Sequence, residues 1–188
     1  MLNFDQNLLN NEKYKDNSTF FCLLIMLFCM FFIVFNSMHF IVLVDGDSMN
    51  TTLTDGDVIF VSKTQEVSRG DIVVFDTDHG KLIKRVIAVA GDTIYSDENG
   101  EVFIKKQGDT DFIKLVESYA LGKTKGVSQV TVLDGEVYVL GDNRGNSQDS
   151  RSFGCVKVSN VNGIVTNGSL KDKKISTTMF SWIFVFTK

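Results

Sequence analysis

Residues 1–18 are polar and Asn-rich and carry both charge signs. Residues 20–35 then run FFCLLIMLFCMFFIVF without a single charged side chain. This stretch is apolar all round, whereas a helix on the surface of a soluble domain shows a polar stripe. Crossing about 30 Å of hydrocarbon takes about 20 helical residues at about 1.5 Å each, and residues 19–38 supply that length. The pattern predicts a polar tail over 1–18 and a transmembrane helix over 19–38. A cleaved export sequence is the alternative, but it needs a basic start, a shorter apolar core and a small-residue cleavage site. Here the tail is not clearly basic and no Ala-x-Ala follows. Lys13 and Lys15 precede the apolar run and the next basic residue is Lys63. The excess of basic residues on cytoplasmic flanks therefore favours a cytoplasmic N-terminus with the rest of the chain outside.

From residue 40 the pattern changes to short runs rich in β-branched residues. FIVLV is followed by DVIFV after Asp55-Gly56, DIVVF after Arg69-Gly70 and KLIKRVIAVA after His79-Gly80. EVFIKK, VSQVTVL, EVYVL and VNGIV come later. Glycine-containing turns between such runs predict hairpins, and no helical period lasts long enough for a βαβ crossover. The expected fold class is mainly β: an all-β domain of hairpins and small sheets over 39–170, preceded by one helix. Residues 93–137 are expected to form a variable β-ribbon insertion. The closing segment 171–188 contains MFSWIFVF, too short to cross a membrane. It suits either a final core strand or an aromatic interfacial contact.

Composition narrows the picture. The net charge of −4 gives no electrostatic reason to expect a nucleic-acid partner. Cys22, Cys29 and Cys155 are odd in number and scattered, which argues against a disulfide framework, and no C-x-x-C spacing exists. His39 and His79 are forty residues apart without cysteine neighbours, so neither a metal site nor a cofactor is expected. The 188 residues include no proline, which excludes polyproline and Pro-rich linker readings.

With two poorly placed histidines, a Ser-His-Asp triad has few options. A serine can instead be activated by a neutral lysine, and lysine becomes a base only where burial disfavours its charged form. The search is then for a lysine inside an apolar strand and a serine in a glycine-rich turn. Lys84 in KLIKRVIAVA and Ser48 in DGDSMNTTL meet the description. Alternation places Leu82, Lys84 and Val86 on one face and Ile83, Arg85 and Ile87 on the other, without saying which is buried. Taken singly, each has an ordinary explanation, an edge-strand lysine and a turn serine.

Their company is more specific. GDSMNTTLTDGDVIFV (46–61), RGDIVVF (69–75), KRVIAVAGD (84–92) and GDNRGNSQDSRSFG (141–154) follow one another in order behind the apolar segment. These blocks resemble bacterial type I signal peptidases of the short form, membrane-bound Ser/Lys proteases that remove signal peptides from exported proteins. The resemblance covers most of the chain from the apolar segment to about Val165. It implies that Ser48 is the nucleophile and Lys84 the general base. By the same resemblance Ser147 orients the lysine, Asp149 and Arg151 form an ion pair holding the last block, and Met49 supports the pocket. Asp142 is expected to serve loop structure. Gly46 stands where some members carry an oxyanion-stabilising hydroxyl, leaving the second donor open. The implied partners are signal peptides of secreted preproteins, the lipid bilayer and, nearby, the secretion translocon. The implied location is the cell membrane, single-pass, with the catalytic domain outside.

Two family prolines are absent. The pattern Ser-Met-x-Pro-Thr-Leu is read with Thr52 at its proline, and Leu-Pro-Gly-Asp reads Val89-Ala90-Gly91-Asp92. A catalytically silent homologue that only binds signal peptides, and a signal peptidase dedicated to one exported partner, are the competing expectations. A self-cleaving repressor with the same core fits poorly, because its N-terminus would be a DNA-binding helix pair.

Overall fold

The computed structural model describes residues 3–64, 66–78, 80–166 and 185–186. The chain divides into two units, Met1–His39 and Phe40–Lys188. The first contains helix α1 (Asn3–Met38), which begins well before the apolar stretch. No glycine or proline occurs between residues 3 and 38, so nothing in the polar part breaks the helical ladder. Ser18–Met38 has a mean hydropathy of 2.7, long and apolar enough to cross a membrane. Its polar side chains return to the helix backbone: Asn36 Nδ2 donates to the Phe32 carbonyl at 2.8 Å and Ser37 Oγ to that of Val34 at 2.6 Å.

The second unit is built of strands. In chain order they are β1 (His39–Leu43), β2 (Val58–Ser62), β3 (Ile72–Thr77), β4 (Gly80–Val89), β5 (Thr93–Ser96), β6 (Val102–Lys105), β7 (Ile113–Lys114), β8 (Val130–Thr131) and β9 (Glu136–Leu140). The short helix α2 (Ser150–Phe153) follows, then β10 (Val156–Lys157), a 3-10 turn (Val158–Asn160), β11 (Val161–Val165) and β12 (Val185–Phe186). One sheet has the order β10-β9-β4-β3-β11-β2-β1-β12 and a smaller one β7-β6-β5-β8. The expectation that 171–188 packs as a core strand or meets lipid lies outside the described residues, except that Val185 and Phe186 pair in parallel with Val42 and Leu43. His79, read as a turn residue, is also outside them.

Both faces of the β3–β4 hairpin are covered, which explains its nearly continuous apolar sequence. Val74 and Ile83 join a core with Val42, Met49, Leu53, Ile59 and Val61. Val73, Phe75 and Val86 join a second core with Val139 and Val161, against which Leu82 packs. A third core connects the small sheet, through Ile94 and Ile104, to Ile87, Tyr138 and Leu140.

The pairing of β4 is uneven along its length. On one side β3 follows it from Ile72↔Arg85 to Thr77↔Gly80. On the other side β9 pairs only from Arg85↔Leu140 to Val89↔Val137. Among the described residues, the edge of 80–84 therefore continues past the end of β9 with no named strand beside it.

Candidate active site

Ser48 lies in the long turn between β1 and β2. The turn is closed at its base by Val44 N–H to the Asp57 carbonyl (2.8 Å) and Gly56 N–H to that of Val44 (2.9 Å). Its tip is wound by Thr52 and Leu53 N–H groups, both donating to the Met49 carbonyl at 2.9 Å. Met49 and Leu53 are buried and fasten this winding to the core beneath. Gly46 takes φ +92°, a conformation that side-chain-bearing residues rarely adopt, and its N–H donates to Asp55 Oδ1 at 2.9 Å.

Lys84 sits on β4 opposite Val73 and is only 2% exposed. Its Nζ is 2.7 Å from Ser48 Oγ and 2.9 Å from the Ile83 carbonyl oxygen. Burial disfavours the ammonium, while the Asp149 and Asp142 carboxylates oppose that effect. Burial wins, and the pKa is lowered to about 8.

The third component is the loop after β9. Asn143 N–H donates to the Ser48 carbonyl at 3.0 Å, and its side-chain Nδ2 to the Asp47 carbonyl at 3.1 Å. Gly141 permits this approach: a Cβ there would lie 2.6 Å from the Ser48 carbonyl oxygen and 2.2 Å from Ser147 Oγ. Asp149 accepts from Gly141 N–H at 3.0 Å and from Arg151 Nε and Nη2 at 2.8 Å each, while capping α2. Burial alone would raise the Asp149 carboxyl, but the Arg151 guanidinium and the Gly141 N–H hold it below the usual carboxylate range.

Ser147 is the residue expected to orient the lysine. Its Oγ is buried and has no hydrogen-bond partner among the described residues, so it does not touch the Lys84 amine here. Asp142 holds Arg85, accepting from Nε at 2.9 Å and Nη2 at 2.7 Å. Thr52 Oγ1 donates to the same carboxylate at 2.5 Å. Counting from Ser48 also corrects the motif register. The proline of Ser-Met-x-Pro-Thr-Leu falls on Thr51, and Thr52 matches the threonine.

Sequence reasoning missed a further shell. The Tyr119 ring lies 4.0 Å from the Arg85 guanidinium carbon, and the fully buried Arg144 side chain pairs with Glu117 at 2.7 Å and bonds Thr124. Nothing in local patterning marks Glu117 or Tyr119. Gly141, which heads the GDN block, was the one legible signal. Together the two loops and β4 border a cleft of about 380 Å³ that reaches Ser48 and Lys84 and is lined also by Val44, Met49, Ile83 and Gln148.

A serine hydroxyl in contact with a buried amine of depressed basicity, open to a cleft, is the arrangement of a serine hydrolase that works without histidine. Residues 17–167 match the family described as signal peptidase, peptidase S26. The chain belongs to that family of serine endopeptidases. It is 36% identical over 141 residues to Signal peptidase I V of Bacillus subtilis (strain 168), covering 66% of this chain and 82% of the relative. It is 36% identical over 120 residues to Signal peptidase I of Bacillus licheniformis, covering 58% and 64%. A crystal structure of a signal peptidase I from Enterococcus faecalis V583 is 27% identical, with 54% of this chain and 97% of that one covered, at a TM-score of 0.42.

Proposed function

We propose that this chain is a membrane-anchored protease that removes N-terminal signal peptides from exported preproteins, with Ser48 as nucleophile and Lys84 as general base. The observation that carries this reading is the 2.7 Å contact between Ser48 Oγ and a lysine amine that is almost wholly buried. The apolar helix supplies the anchor, with the N-terminus in the cytoplasm and the β domain outside, where preproteins emerge from the translocon. Holding enzyme and substrate in one membrane raises their effective concentration.

The substrate enters as an extended segment along the open edge of 80–84, adding a strand to the sheet. The residues one and three before the cut face Val44, Met49 and Ile83, and small side chains are the ones expected there. Neutral Lys84 takes the Ser48 hydroxyl proton as Oγ attacks the scissile carbonyl. The resulting oxyanion is met by the Ser48 backbone N–H. The Lys84 ammonium then gives its proton to the leaving amine, releasing the mature protein. Water, deprotonated by Lys84, cleaves the acyl-enzyme and restores Ser48. Ser147 Oγ, buried without a partner beside Gly141, is the acceptor available to the ammonium while Lys84 carries its proton.

The test is cleavage by the full chain, in detergent, of a preprotein with an Ala-x-Ala site. Wild type is expected to cut, and Ser48→Ala and Lys84→Ala to lose activity by at least about 10³-fold, as removal of a nucleophile or its base generally does. Undiminished cutting by Lys84→Ala would sink the dyad.

A further inference from the structure

Beside the cleft that holds Ser48 lies a second cavity, of about 540 Å³. Its walls include Phe75, Leu82, Gln148, Phe153 and Val156. Leu82 and Gln148 also line the active-site cleft, so the two spaces meet across these side chains. The catalytic steps described above use none of the second cavity. Phe153 is 39% exposed, a large apolar side chain left partly open at its rim, with its ring edge-on to Phe75 at 6.2 Å.

The active-site cleft reaches both faces of β4, with Ile83 on one and Leu82 and Lys84 on the other, whereas of these three residues the second cavity is lined by Leu82 alone. Ile83 belongs to the core that underlies the cleft with Val44 and Met49. Leu82 packs on the other core, with Phe75 and Val156. A strand added along 80–84 turns successive side chains to opposite faces. If the residues one and three before the cut face the Ile83 side, the residue between them faces Leu82. From these placements we infer that the second cavity receives the side chain of the second residue before the cut and selects a large apolar group there. The inference rests on the signal-peptidase reading and assigns that site a further determinant of specificity. Phe75, Leu82, Phe153 and Val156 supply apolar walls, and the Gln148 side chain forms the sill between the two spaces. Asp76, paired with Lys81 at 2.5 Å, and Thr77, Asp78, Lys157 and Asn160 line the rest of the cavity, so its apolar part is the wall formed by Phe75, Leu82, Phe153 and Val156.

The experiment compares preproteins identical except at that position, carrying Ala, Leu, Phe or Asp, with the purified full chain in detergent. Wild type is expected to cut the Leu and Phe substrates with a kcat/KM about tenfold above Ala, the discrimination a few buried methylene groups give in an apolar pocket. The gain is expected in KM, because the contact is made equally before and during the reaction. In Phe153→Ala the Leu-to-Ala ratio is expected to fall towards one, and in Leu82→Ala likewise. Equal cutting of the Ala and Leu substrates by wild type, or a ratio preserved in both variants, would overturn the inference while leaving the protease intact. No cleavage of any substrate would overturn the protease reading and this inference together.

Discussion

Lys84 and Arg85 are neighbours on one strand, and the regions into which they point treat their charges in opposite ways. Around Lys84 the surroundings are a hydroxyl, a carbonyl and apolar core, and burial pulls its pKa down to about 8. Around Arg85 burial acts in the same direction, but the Asp142 carboxylate grips the guanidinium at two points and keeps it above its ordinary value. Tyr119 and Thr52 close that second region. Desolvation is thus common to both, and the difference lies in the partner. A carboxylate in direct contact fixes a charge, whereas carboxylates one shell further away only moderate its loss. The same strand thereby carries the proposed base and, beside it, a guanidinium fixed by a carboxylate.

Removing that carboxylate is the strongest way to break this contrast. Asp142→Ala leaves Arg85 buried and unpaired, which is expected to cost about 3–5 kcal/mol, read by chemical denaturation. It also removes one of the two carboxylates that sustain protonation of Lys84, so any residual activity is expected to reach its plateau at lower pH. An unchanged pH midpoint would separate the two regions and contradict the comparison.

Next in size is the pH dependence itself. With Lys84 as the proposed base, only its neutral form accepts the serine proton, so kcat/KM is expected to rise through about pH 8 and then level off. Below that value it should fall about tenfold per pH unit. A plateau extending to pH 5 would show that the base is another group.

Thr52→Val probes the smallest link. It deletes the hydroxyl that ties the Ser48 turn to Asp142 and is expected to cost about 1 kcal/mol. Thr52→Ser keeps the hydroxyl and should recover both melting temperature and rate. If valine is as good as serine, the link contributes only shape.

How much of this could be read from the chain follows from how local each cause is. The strands were legible because β-branched runs and glycine turns act over a few residues. Ser48 and Lys84 were legible by motif, although periodicity left the buried face of β4 undecided. Both faces are in fact covered, by cores completed from other strands, which alternation within one strand does not record. Helix α1 starts earlier than hydropathy suggested, because hydropathy marks the apolar span alone, and the polar residues before it include no glycine or proline to interrupt a helix that continues from that span. Gly141 is needed for a close approach between two loops about ninety residues apart. Glu117 and Tyr119 join the site only because the small sheet folds back on it. Such contacts are products of topology, and no local pattern encodes them.

The double duty of Asp149 and Asp142 has a practical corollary. Asp149 pins Gly141 and Arg151, Asp142 pins Arg85, and both carboxylates bear on the Lys84 proton. Architecture and reactivity are therefore written in the same two side chains. A substitution that loosens either attachment is expected also to shift the acidity of the Lys84 amine, even at a distance from Ser48. The pH midpoint becomes a gauge of loop integrity, and a titration of rate could rank variants by structural damage before any of them unfolds.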